Sequence, residues 1–219
     1  MDYSRTNPSQ RYKDLVATYS NMHRDGLPDM GIPADELYVG ASLLKHLPTV
    51  RRLVQRTGAT TLIDYGAGKG KYYGKRDIDL PNGDTAPSIA EYLGVTEIRC
   101  YDPAYPPNST LPQKSRDAVI STDALEHCPE EDIEWIVDEM FGLANKFVFA
   151  NVASYPARKT LPTGENAHAT QRPAGWWTGL LEQVARRHPG TQYHFEIEQY
   201  ESSLTSLFRQ RKRTRVVSG

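Results

Sequence analysis

The chain is short of cysteine, of long apolar runs and of any surplus of charge, and each shortage removes a class of function. Cys100 and Cys128 are the two cysteines among 219 residues. They have no partner spacing for zinc, so both read as buried reduced thiols and no metal set is read from the sequence. No apolar stretch approaches the roughly 20 residues that span a bilayer, and the opening MDYSRTNPSQ carries no hydrophobic signal core. The expected setting is therefore cytoplasmic, with no membrane partner. Lys+Arg 26 against Asp+Glu 27 leave a net charge of -1, which supplies no whole-protein pull toward nucleic acid or anionic lipid. No internal repeat or low-complexity tract interrupts the chain.

What is present is alternation. Apolar residues recur at helical spacing after Ser9 and after Pro48, then a strand is expected over 61–65. Ser88 and Glu91 have the spacing of a capping box, closed by Gly94. Strands follow at 97–101, at 117–122 and up to about 152, with helices opening near Pro129 and around Trp177. Two period-2 stretches, TQYHFEIEQ and RTRVV, close the chain as an expected antiparallel pair. Such a pattern predicts an α/β fold: a Rossmann-like, mostly parallel sheet with helices on both faces. One domain over 1–219 is expected, residues 1–58 forming a helical lid and 59–219 the core. In such sheets ligands lie beyond the C-terminal strand ends, where strand order reverses.

The first strand runs into TLIDYGAGKG, three glycines at every second position. A phosphate-gripping loop needs its second glycine five residues after the first, then Lys and Ser/Thr, and none of Gly66, Gly68 and Gly70 meets that spacing. The dinucleotide fingerprint fails too, because the third glycine comes one residue early. A ligand with a ribose and an amino-acid end fits better. Bare backbone at the loop admits close approach, Asp64 can accept from an ammonium group, and Asp102, ending the second core strand, can accept from both ribose hydroxyls.

With the next motif, DAVISTDALEHCP, the segment from about 61 to 152 resembles the class I S-adenosylmethionine-dependent methyltransferases. That family carries an E/D-x-G-x-G-x-G loop, an acid ending the second strand and a D-x-V-x-x-x-x-x-L-E-H stretch in this order; here they read IDYGAGKG, YDP and DAVISTDALEHCP. The resemblance implies S-adenosylmethionine as cofactor, with Asp64, Gly66, Ala67 and Gly68 facing its methionine part, Asp102 its ribose, and Ser121, Thr122 and Asp123 its reactive side. It also implies methyl transfer to a small-molecule acceptor through an O- or N-nucleophile. Two departures stand out: an insertion at 71–87, and only 14 residues between Asp102 and Asp117, too few for a helix and another strand. The strand that usually follows is expected to be missing.

Catalytic candidates are judged by position. His127 follows the strand over 117–122, and His168 lies in ASYPARKTLPTGENAHATQRPAGWW, a long polar loop at the expected binding edge. His168 is read as a base or orienting group, with Asn166 and Arg172 meeting the acceptor. From the lid, Tyr19, His23, Tyr38 or Ser42 are candidates to reach inward. Three rival readings stay open: RNA methylation, suggested by RQRKRTR at 209–215, cleavage of the cofactor, and cofactor binding without catalysis.

Overall fold

The computed structural model describes residues 3–80, 83–202 and 210–219. Eight strands and five α-helices follow in chain order: α1 Gln10–Asp25, α2 Leu47–Thr57, β1 Thr61–Tyr65, β2 Ile78–Asp79, β3 Thr85–Ala86, α3 Ile89–Leu93, β4 Glu97–Tyr101, β5 Arg116–Thr122, α4 Glu130–Leu143, β6 Ala144–Ala153, α5 Ala174–Arg187, β7 Gln192–Ser202 and β8 Gln210–Ser218. Six of the strands form one sheet in the order β4-β1-β5-β6-β7-β8. All its pairings are parallel except the last, β7 with β8. The α/β architecture expected from the alternation, including the closing antiparallel pair, is the one observed.

Helix ends follow the local chemistry. Ser9 caps α1 by accepting from Tyr12 N at 3.0 Å. Ser88 caps α3 by accepting from Glu91 N at 3.2 Å, the first bond that the S-x-x-E spacing foretells, while its hydroxyl donates to Glu91 Oε1 at 3.0 Å in place of the backbone N–H of the full box. The acidic first turn of α4, Glu130, Glu131 and Asp132, complements the positive end of the helix dipole.

Period-2 alternation along buried parallel strands divides the core into two layers. Ile63, Val119, Val148 and Phe195 face α4 and α5, packing against Ile133, Val137, Trp177 and Leu181. Leu62, Ala118, Phe147 and Phe149 face α2 and α3, against Val50, Leu53, Ile89 and Leu93. A third, smaller cluster joins α1 to the long loop after β6: Leu15, Met22, Leu27 and Leu37 pack with Leu161 and Ala167. The N-terminal segment is thus held partly by the loop that the sequence marks as an acceptor wall.

The chain leaves β1 toward β4 on one side and returns to β5 on the other, so strand order reverses between β1 and β5. The sheet ends at β4 among the described residues, as expected from the short 102–117 link. That link makes one helical turn, Pro106–Asn108, and returns a bond from Asp102 N to Asn108 O at 2.9 Å. The 71–87 insertion forms a turn, Lys71–Gly74, and the small β2/β3 ribbon. Cys100 and Cys128 are unpaired and half-buried. No helix among the described residues is long and apolar enough to cross a membrane. Of the basic run 209–215, Arg209 lies outside the described residues, and Lys212 pairs with Glu198.

Candidate functional site

A cavity of about 160 Å³ opens at the C-terminal ends of β1 and β5, where strand order reverses. Its floor is loop 66–68, one side is Asp102 and the other is 122–125. Its roof comes from α1, through Tyr12, Leu15, Val16, Tyr19 and His23, and from Tyr38 and Ser42. All four lid residues singled out in the sequence, Tyr19, His23, Tyr38 and Ser42, therefore reach inward.

The glycine loop is shaped first by its own protein. The Gly66 and Ala67 N–H groups donate to Tyr101 O at 2.7 and 3.0 Å, holding the loop across the end of β4. Gly66 has φ 83°, and a Cβ there would stand 2.5 Å from Ala124 Cβ. Gly68 has φ 57°, and its Cβ would stand 2.3 Å from Tyr38 O. Residues 38–39 form a strap bonded to the loop, with Lys69 N donating to Tyr38 O at 2.8 Å and Lys71 N to Val39 O at 3.1 Å. The close approach that the glycines permit is thus made by strap and neighbouring loop. The atoms left open toward the cavity belong to 66–68.

Asp102 is fixed by two backbone donors. Gly68 N–H donates to Oδ2 at 2.8 Å and Ala104 N–H to Oδ1 at 2.9 Å. A carboxylate offers about four lone-pair sites, so each oxygen keeps capacity for one more donor. Burial raises its pKa, and the N–H groups of Ala104 and Gly68 oppose that. Opposite, Asp123 sits in the left-handed region at φ 48°, a strained position for a residue with a side chain. Fully buried Asn151 fixes it from both sides: Asp123 N donates to Asn151 Oδ1 at 3.1 Å and Asn151 Nδ2 to Asp123 Oδ1 at 2.5 Å. Lys45 Nζ stands 3.6 Å from Asp123 Oδ2. Thr122 Oγ1 meets Ser42 Oγ at 3.2 Å, tying lid to core.

The histidines on the cavity resist protonation. His23 is pushed down to about 4 by burial and then by the ammonium of Lys69, which lies 3.1 Å from its Nδ1. Burial also lowers His127, whose Nδ1 lies 2.8 Å from both Ala167 O and Tyr19 Oη. Two carboxylates facing two neutral imidazoles favour a cationic guest.

Other predicted residues lie behind this surface. Asp64 is buried outside the cavity lining. Tyr73, from the 71–87 insertion, donates to its Oδ2 at 2.7 Å, Oδ1 has no partner, and burial raises its pKa to about 7. Ser121 is fully buried, its hydroxyl also unpartnered. His168 stands behind His127, their ring centroids 5.1 Å apart. Asn166 spends its amide on the loop itself, accepting from Ala157 N and His168 N and donating to Ala157 O. Arg172 is held by Glu130 in two bonds of 2.7 Å on the surface. The structure brings neither Asn166 nor Arg172 to the cavity. Glu126, which sequence reasoning passes over, is fully buried between these groups, its carboxyl raised to about 7 first by burial and then by the charge of Asp123. Its signal in the sequence is its place in the L-E-H stretch, next to His127.

Comparison of the chain with family models, curated proteins and solved structures gives no match.

Proposed function

We propose that the cavity binds S-adenosylmethionine and that the protein transfers its methyl group to a small-molecule acceptor. The observation that carries the reading is Asp102: a carboxylate at the tip of β4, locked by the glycine loop's own N–H, with free lone pairs beside a cavity floored by that loop. Those lone pairs suit two ribose hydroxyls. Loop 66–68 suits an amino-acid tail, and the Asp102 and Asp123 carboxylates suit a cation. The unpartnered oxygen of Asp64 is a further acceptor behind the loop, available to an ammonium group through a bridging water.

The cofactor, when bound, supplies an already activated methyl group, so the protein's task is alignment. Thr122 and Asp123 are fixed by Ser42 and Asn151 at the same mouth. His127 presents a neutral ring to the cavity, its Nδ1–H donating to Ala167 O, so that Nε2 keeps a lone pair able to take a proton from an acceptor. The α1 residues that line the cavity would, on this reading, limit the acceptor to a small molecule. His168 acts, on this reading, through His127 rather than by direct contact.

Calorimetry of the folded protein with S-adenosylmethionine and with S-adenosylhomocysteine tests the proposal. Saturable binding is expected, weakened at least tenfold in Asp102→Ala, since each charge-assisted hydrogen bond lost costs about 1.5–3 kcal/mol and 1.4 kcal/mol is about tenfold. Absence of binding by either compound would refute it. With labelled cofactor and cell extract, a methylated product supports transfer, whereas methylthioadenosine alone points to cleavage.

A further inference from the structure

Behind the cavity wall lies Glu126, which methyl transfer leaves unused, and beside it stand His127 and His168. Glu126, His127 and His168 each offer a ligand atom within 4.8 Å of the other two. Glu126 has no exposed surface; its Oε1 accepts from Ala153 N at 3.1 Å, and its Oε2 has no partner. A buried carboxylate oxygen with nothing to bind is costly, so a ligand for it is a physical expectation.

The imidazoles are prepared on the opposite side. His127 Nδ1 lies 2.8 Å from Ala167 O, and His168 Nδ1 lies 2.5 Å from Tyr155 O. A carbonyl oxygen only accepts, so both Nδ1 atoms carry a proton and Nε2 is the atom of each ring left to bind an ion. Metal-ligating histidines nearly always have this arrangement, one nitrogen donating to a carbonyl or carboxylate while the other binds. Cys128 takes no part, because its sulfur is directed to Ala124 O, 3.8 Å away.

We propose that Glu126, His127 and His168 bind one divalent transition-metal ion of the Zn2+ class. Two neutral imidazoles and one carboxylate are a donor set that suits such ions and leaves a coordination position open. Ligand atoms about 2.1 Å from a tetrahedral ion stand about 3.4 Å apart, so these three would draw in by about 1.4 Å at most. The ion would satisfy the orphan oxygen of Glu126 and fix the loop after β6 to the end of β5. Because His127 also lines the cavity, it would lie directly behind the cavity wall. This site does not depend on the nucleoside reading, and its test needs no cofactor; a bound ion takes the Nε2 lone pair of His127 that the base role uses, so that ring serves either the ion or a proton.

The experiment is titration of the chelator-stripped full chain with Zn2+ by calorimetry and with Co2+ by visible absorption. One ion per chain is expected. Glu126→Gln and His168→Ala should each weaken binding by at least about tenfold, the loss that even an outer-shell partner causes. No saturable binding by folded protein, or undiminished binding in both variants, overturns the proposal. Should either variant fail to fold, the imidazole 15N spectrum of the parent decides: Zn2+ must shift the Nε2 resonances of two histidines, and an unchanged spectrum overturns the proposal equally.

Discussion

Replacing Asp64 by asparagine should change how stability depends on pH, by an amount the structure fixes. Asp64 is 3% exposed, its Oδ1 is unpartnered, and burial raises its pKa to about 7 against the opposing bond from Tyr73. In the unfolded chain an aspartate titrates near about 3.9. Between those values the folded state binds the extra proton, so stability is fully present below about pH 4 and is lost as pH rises through 7. At 1.36 kcal/mol per pH unit the loss amounts to about 4 kcal/mol. Asparagine still accepts from Tyr73 but has no charge to bury. It carries a pH-independent penalty for its own unpartnered amide, about 1–3 kcal/mol. The diagnostic is therefore a slope: variant minus parent stability should rise by about 4 kcal/mol from pH 4 to pH 8, whatever its offset. Urea unfolding at several pH values, with matched m-values, measures it. Glu126, which titrates in the same window, is common to both proteins and cancels. A flat difference would refute the claim that Asp64 is buried without a compensating partner.

Two further substitutions probe how the N-terminal segment is held. Gly68→Ala places a Cβ 2.3 Å from Tyr38 O at φ 57°; it should cost more than the roughly 1–2 kcal/mol of a left-handed residue alone and weaken S-adenosylmethionine by loosening the strap. An unchanged melting temperature together with unchanged affinity would refute that coupling. Ser9→Ala removes the cap of α1 and a donor to fully buried Asp132, whose other oxygen takes Ser9 N at 3.0 Å and Trp135 Nε1 at 2.8 Å. Cap and orphaned carboxylate together predict a loss of about 2–4 kcal/mol by urea unfolding, and a loss near zero would show that α1 is not anchored there.

Which features the sequence discloses follows from the range of the forces involved. The helices and strands were legible because capping at Ser88, the apolar faces of α2 and α4, and the short apolar runs of β1 and β5 act within a few residues. The mostly parallel sheet was legible because strands alternating with helices leave few architectures, while the order β4-β1-β5 came from the fold. Side-chain partners were not. Arg172 reads as an acceptor-binding cation until the fold brings Glu130, 42 positions away in the chain, against it. Asp64 reads as ligand-facing until an insertion with no periodic signal delivers Tyr73 to it. The three glycines mark a close approach without naming what approaches, and Gly68 turns out to accommodate the Tyr38 carbonyl.

The same reasoning bears on which histidine meets a substrate. Sequence position favours His168, because a long polar loop after a strand is where binding residues collect. Geometry favours His127, which lines the cavity. It reaches that place through one turn of helix, Leu125–His127, closed by Cys128 N donating to Leu125 O at 3.1 Å. His168 then approaches from behind, carried by a loop that Asn166 pins at Ala157 and that Tyr19 bonds at Ala167 O, 3.1 Å away. One carbonyl, Ala167 O, thus accepts from both the lid tyrosine and the cavity histidine. The tautomer of His127 is therefore set by the loop after β6, and the α1 tyrosine reinforces it from the other side.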